Sequence, residues 1–119
     1  MDILAWRDLE DMARAAADEF GFHLEGVAPI TNLRDKNFGY ARRSGWIEMR
    51  LHWRRCPGRP LRWTTIVDTL AEELAHLGTW DEHRSHGPRW RDLRRRIKRF
   101  LIDRQSGANE TPIVSNGEV

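Results

Sequence analysis

The stretch DTLAEELAHL (Asp68–Leu77) lies in the most strongly periodic part of the chain. Apolar side chains recur there at helical spacing and predict a helix over 64–79, with one face formed by Ile66, Val67, Leu70, Ala71, Leu74 and Leu77. Thr65 and Asp68 have the spacing of a capping box at its start, and Gly78 can end it. The helix therefore decides which side chains of the stretch share a face.

Two glutamates and a histidine of this stretch have the arrangement of a metal site. Residues four apart lie on the same face of a helix, so Glu72 and His76 project together and can share one metal ion. Glu73 lies about 100° round the helix from Glu72. The frame is E-E-x-x-H, and in H-E-x-x-H the same spacing places two zinc ligands beside a general base. The alternative is that both glutamates are ordinary exposed helix residues, since glutamate is a good helix former.

A metal site of this kind needs a third protein ligand and an open position for water. His86 is the natural candidate and His83 is the reserve, because both lie in the polar segment 80–87 that follows the helix. Pro88 is well placed in the first turn of a further helix, which we expect to run to about Arg104. The loop between the two helices can then fold back over the end of the first.

Two motifs taken together resemble a known family. The helix stretch Asp68–Leu77, followed by HGPRW (His86–Trp90), is similar to the D-T-x-x-H-E-x-x-H and H-G-P-x-[FW] motifs of SprT-like metalloproteases. The segments FGYA (Phe38–Ala41) and GWIEM (Gly45–Met49) resemble the paired strands that precede the active helix in that family. The resemblance covers roughly residues 5–100 of the chain.

This resemblance implies a zincin-like α+β fold, a bound zinc ion and endopeptidase activity on a protein or peptide substrate, often one associated with DNA. On this basis Glu72, His76 and His86 hold the metal, and Glu73 is the catalytic general base that activates a metal-bound water. Glu72 stands where the family has its first zinc histidine. A carboxylate there lowers the positive charge of the site and shifts the metal preference slightly towards manganese or iron. A degenerate site would hold no metal.

The remaining segments predict a single domain over 1–104. An amphipathic helix is expected over 3–20, a short or irregular strand within 22–30, and two strands joined by a turn around Gly45. The predicted fold is α+β, with an N-terminal helix, a small antiparallel or mixed sheet, the helix of the metal site and a basic C-terminal helix. The tail 105–119 is rich in Ser, Gly, Asn and Pro and is expected to be disordered.

The composition indicates a soluble protein of the cytoplasm. The 119 residues carry a net charge of +2 and a single cysteine, Cys56, which cannot form an intramolecular disulfide. No apolar run approaches the roughly 18 residues needed to cross a membrane, and no signal peptide is visible. We therefore expect a reducing compartment and no membrane partner.

Basic residues are concentrated in the predicted C-terminal helix. Arg94, Arg95 and Lys98 are the candidates for binding DNA without sequence preference, and a solvated helix face is the alternative. A second functional hypothesis follows: a catalytically degenerate SprT-like fold that serves as a DNA- or protein-binding module. A third is a basic DNA-binding domain unrelated to zincins, which explains the arginines but not the paired motifs.

Overall fold

The computed structural model describes residues 6–32, 36–52, 59–82 and 84–114. These residues form a small α+β domain, which confirms the predicted fold class at this level. In chain order its elements are α1 (Trp6–Phe20), β1 (Gly26–Pro29), β2 (Gly39–Ala41), β3 (Trp46–Met49), α2 (Trp63–Gly78), a 3-10 turn (Trp80–Glu82) and α3 (Pro88–Val114).

The sheet is mixed and has the order β1-β3-β2. β1 runs parallel to β3, with Val27 opposite Ile47. β2 runs antiparallel to β3, with Ala41 opposite Ile47. The turn between β2 and β3 contains Gly45 at a φ of 102°, a conformation that glycine adopts without steric cost. The strand pair predicted around Gly45 is confirmed, and β1 occupies part of the segment 22–30.

One hydrophobic core joins the helices to the sheet. On α2 the predicted apolar face is buried except at Leu77, which is partly buried against the core, and β3 packs on α2. Among the described residues, the largest fully buried side chains are Leu9 of α1, Ile47 and Met49 of β3, Leu70 and Leu74 of α2, and Ile97 and Leu101 of α3. Because α2 packs against α1, α3 and the sheet, its residues Glu72–His76 are carried on a firmly held element.

The start of α2 differs from the predicted capping box. The helix begins at Trp63 with Arg62 as its N-cap, and the Arg62 side chain makes no cap hydrogen bond within the described residues. Thr65 and Asp68 therefore lie inside the helix, so the capping-box prediction is wrong. Asp68 is used instead in a tertiary contact, because its carboxylate lies 2.7 Å from the Lys98 ammonium of α3.

The C-terminal helix is longer than the sequence predicted. α3 extends to Val114, past the end expected at Arg104 and into the segment for which we expected disorder. Its buried Ile97 and Leu101 fix the helix on the core, and adding turns to an existing helix costs far less than starting one. Residues 115–119 lie outside the described ranges. Within those ranges, no helix is long and apolar enough to span a membrane.

Candidate metal centre

α2 and α3 run antiparallel, and two contacts define their register. The rings of His76 and Trp90 have centroids 5.2 Å apart, and Asp68 pairs with Lys98 two helical turns away. Glu72 lies midway between Asp68 and His76 on the same helical stripe. Asp68, Glu72 and His76 thus form a polar stripe on α2. Glu72 and His76 are both half-buried, so this stripe runs along the seam, which is the line of contact between α2 and α3.

His86 reaches this seam from the loop that precedes α3. Its ring stacks on Trp90 with centroids 4.0 Å apart and planes within 10° of parallel. The centroid of the same ring lies 4.9 Å from that of His76. The His86 ring therefore lies beside His76, and the binding of a metal ion by the two stays a prediction. His83, the reserve ligand, lies outside the described residues.

The loop holds His86 in an uncommon backbone conformation. Its φ is 49°, in the left-handed region that residues with a Cβ adopt infrequently. The His86 N–H donates to the carbonyl oxygen of Glu82 at 3.0 Å. The stack on Trp90 and this hydrogen bond together hold the ring beside His76. Residues in such uncommon backbone conformations are kept there by surrounding contacts, and they are found more often at functional sites.

The donor set suits a zinc ion, although the described side chains do not form a closed cage. Two imidazoles and one carboxylate are an accepted zinc ligand set when a further position is left for water. Among the described residues, no three His, Cys, Asp or Glu side chains are gathered closely enough to hold a metal ion. The pair His76 and His86 is brought together by the fold, and the addition of Glu72 stays a prediction.

Glu73 lies beneath the edge strand β2. A Cβ added to Gly39 would lie 3.1 Å from Glu73 Cγ and 2.7 Å from Thr69 Cγ2, so the strand backbone passes directly over this face of α2. Burial, together with the smaller effect of the neighbouring Glu72 charge, raises the pKa of the Glu73 carboxyl from 4.5 to about 7. A group with a pKa near neutral can both take and return a proton, which suits the general-base role predicted for Glu73.

The three basic candidates have different surroundings. Lys98 is engaged by Asp68 of α2, and the Arg94 guanidinium lies 5.6 Å over the Trp90 ring. Arg95 is exposed and pairs with Asp92 of its own helix at 2.7 Å. Arg95 therefore fits the predicted role at a solvent-facing surface better than the other two, which lie at the seam.

Two contributors to this site were missed by the sequence reasoning. Glu82 accepts a hydrogen bond from the Trp90 N–H at 2.9 Å, across the loop that contains His86. Gly39 permits the close approach of β2 to Glu73. Neither has a local signal, because Glu82 is far from a capping position of α3 and the role of Gly39 depends on a tertiary contact.

Compared with protein-family models, with curated proteins and with solved structures, the chain matches none.

Proposed function

We propose that the chain is a zincin-like, SprT-like metallopeptidase that hydrolyses protein or peptide substrates. Glu72, His76 and His86 hold a zinc ion in this proposal, and Glu73 is the general base. The observation that carries it is the meeting of the His76 and His86 rings, 4.9 Å apart at their centroids. Two separate motifs suggested this meeting, and an unrelated helical domain would not require it.

Zinc bound at this position would polarise a substrate carbonyl and lower the pKa of a water molecule to near 7. In the proposed site, Glu73 would accept a proton from the attacking water and return it to the leaving amine. In the metal-free protein the pKa of this carboxyl is about 7, which suits a group that exchanges protons near neutral pH. Glu72 brings a negative charge where the family resemblance implies a neutral histidine, so the site loses part of its electrophilic strength. Trp90 keeps His86 in place by stacking on its ring.

The position of β2 supports a peptide substrate. β2 is at the edge of the sheet formed by the described residues, and at Gly39 it passes over Glu73. An extended peptide can add to a sheet edge through backbone hydrogen bonds, which do not depend on its side chains. A substrate bound in this way lies next to the general base.

The competing proposal is a non-catalytic binding module with the same fold. It is favoured by Glu72 in the position of the first zinc histidine and by the exposed arginines of α3. DNA, bound without sequence preference, is the partner that these arginines suit. Glu73 argues against this alternative, because a scaffold does not need a half-buried carboxylate, which costs stability when it is ionised.

The two proposals are separated by cleavage of casein and histones in the presence of zinc. Wild type, Glu73→Gln and Glu10→Gln are compared, since Glu10 is a glutamate of α1 that pairs with Arg14 away from the site. A peptidase requires cleavage by wild type and Glu10→Gln and none by Glu73→Gln, with zinc binding equal in all three. Zinc binding by wild type without any cleavage would favour the binding module.

A further inference from the structure

Glu82 connects the loop that carries His86 to the first turn of α3. Its Oε1 atom accepts a hydrogen bond from the Trp90 backbone N–H at 2.9 Å. Its own backbone carbonyl accepts a hydrogen bond from the His86 N–H at 3.0 Å. One residue thus holds both His86 and the turn of helix whose Trp90 ring stacks on that histidine.

The carboxylate suits this location for a physical reason. The first turn of a helix has backbone N–H groups without partners inside the helix, and its positive end favours a negative charge. Glu82 supplies both an acceptor and a charge at the start of α3, although it belongs to the preceding 3-10 turn. The contact therefore ties the 3-10 turn to the first turn of α3.

Gly87 makes room for this contact. A Cβ added to Gly87 would lie 2.8 Å from both the carboxyl carbon and Oε1 of Glu82. Real Cβ atoms essentially never come so close, so a side chain at position 87 would displace the Glu82 carboxylate from the Trp90 amide. The glycine between His86 and Pro88 is thus explained by the space that Glu82 occupies.

We propose that Glu82 is a positioning residue of the metal site: its carboxylate holds the start of α3 so that His86, stacked on Trp90, faces His76. Glu82 acts through His86 and does not itself bind the metal. The zinc part of this inference rests on the proposed function. Its geometric part, the placing of the His86 ring, holds in the metal-free protein and can be measured there.

The neighbouring acid provides a matched control. Asp81 belongs to the same 3-10 turn, and its carboxylate pairs with the Arg89 guanidinium at 2.6 Å. Both side chains of this pair are more than half exposed. Asp81→Ala therefore removes an equal charge from the same turn and leaves the Trp90 amide with its acceptor.

The test compares wild type, Glu82→Ala, Glu82→Gln, Gly87→Ala and Asp81→Ala. In the metal-free proteins, NMR measures the upfield shift of the His86 ring protons and their contacts to Trp90. We expect Glu82→Ala and Gly87→Ala to lose both signals. Glu82→Gln should retain them because its amide oxygen can accept the same N–H, and Asp81→Ala should resemble wild type. Gly87→Ala keeps the test decisive if Glu82→Ala does not fold.

Zinc affinity, measured against a competing chelator, gives the second readout. Loss of a residue that orients a ligand weakens metal binding by about 10- to 100-fold, and we expect this of Glu82→Ala and Gly87→Ala. The loss should vanish in a His86→Ala background, since the effect passes through that ring. The proposal would be overturned if the His86 NMR signals were unchanged in Glu82→Ala. It would also be overturned if Glu82→Ala weakened zinc binding equally in the wild-type and His86→Ala backgrounds. If wild type binds no zinc, the proposed function fails, and the NMR signals still decide whether Glu82 positions His86.

Discussion

The His76 and His86 rings lie 4.9 Å apart at their centroids, although one belongs to α2 and the other to the loop before α3. Both rings also lie against Trp90, at 5.2 Å and 4.0 Å. Trp90 is a buried residue of α3, so the packing of α3 on α2 determines where His86 lies. The core and the candidate metal site are thus parts of one arrangement.

The first prediction concerns Glu72. In the proposed site, Glu72→His would replace an anionic ligand by a neutral imidazole, which would leave more of the metal's charge uncompensated and make its bound water more acidic. We expect this variant to bind zinc at least as tightly as wild type and to cleave casein at least as fast. A chelator competition titration and a cleavage assay measure both quantities. A variant that gains neither metal nor activity would indicate a site that has decayed beyond this position, and would favour the binding module.

The second prediction is a pH dependence of stability in the metal-free protein. The folded-state pKa of Glu73 is about 7, above its ordinary value of 4.5. Between these values the native state keeps the proton that the unfolded state has released, so stability falls as the pH rises through this window. At about 1.4 kcal/mol for each pKa unit, and with allowance for solvent exposure, the loss is on the order of 2 kcal/mol.

Urea unfolding at pH 5 and at pH 7.5, with chelator present, measures this loss. Glu73→Gln has no carboxyl to titrate, so its free energy of unfolding relative to wild type should rise between the two pH values. Equal pH profiles for wild type and Glu73→Gln would show that Glu73 is not held in a protonated state.

The third prediction tests the contact between β2 and α2. In Gly39→Ala the new methyl meets Thr69 Cγ2, which cannot turn away because the Thr69 hydroxyl donates to the Thr65 carbonyl oxygen at 2.8 Å. We expect a loss of about 1–3 kcal/mol in stability, as for other overpacked sites. Thr69→Ser keeps the hydroxyl and removes Cγ2, so the double variant should recover most of the loss. If the stability effects of Gly39→Ala and Thr69→Ser simply add in the double variant, the strain does not come from the contact with Thr69 Cγ2.

The fourth prediction concerns DNA. Arg95 and Arg99 have side chains that are 78% and 80% exposed, and each pairs with an aspartate of its own helix. If they bind phosphates, the double change to alanine should weaken binding to all duplex sequences about equally. It should also reduce the slope of log affinity against log salt by about 2. Arg14→Ala on α1 is the control. Absence of DNA binding by wild type at low salt would leave these arginines as a solvated surface.

The helices were predictable where a pattern repeats. α2 and the core face of α3 follow from apolar periodicity, and the meeting of His86 with His76 follows from two motifs in sequence order. Contacts between segments that are distant in the sequence leave no repeating pattern from which they could be predicted. Asp68 has the spacing of a capping residue, yet the helix begins earlier, with Arg62 as its N-cap, and Asp68 pairs with Lys98 of α3. The Glu82 contact and the parallel pairing of β1 with β3 likewise depend on packing that no local pattern encodes.

The zinc affinity of single-histidine variants shows whether His76 and His86 hold one metal ion together. Wild type, His76→Ala, His86→Ala and His23→Ala are titrated with zinc against a chelator. His23 is the control because it is an exposed histidine that pairs with Glu25 at 3.2 Å, away from the site. We predict that wild type and His23→Ala bind one zinc ion per chain with equal affinity, and that His76→Ala and His86→Ala each bind it at least about 10-fold more weakly. Absence of zinc binding by wild type, or wild-type affinity in His86→Ala, would contradict the account.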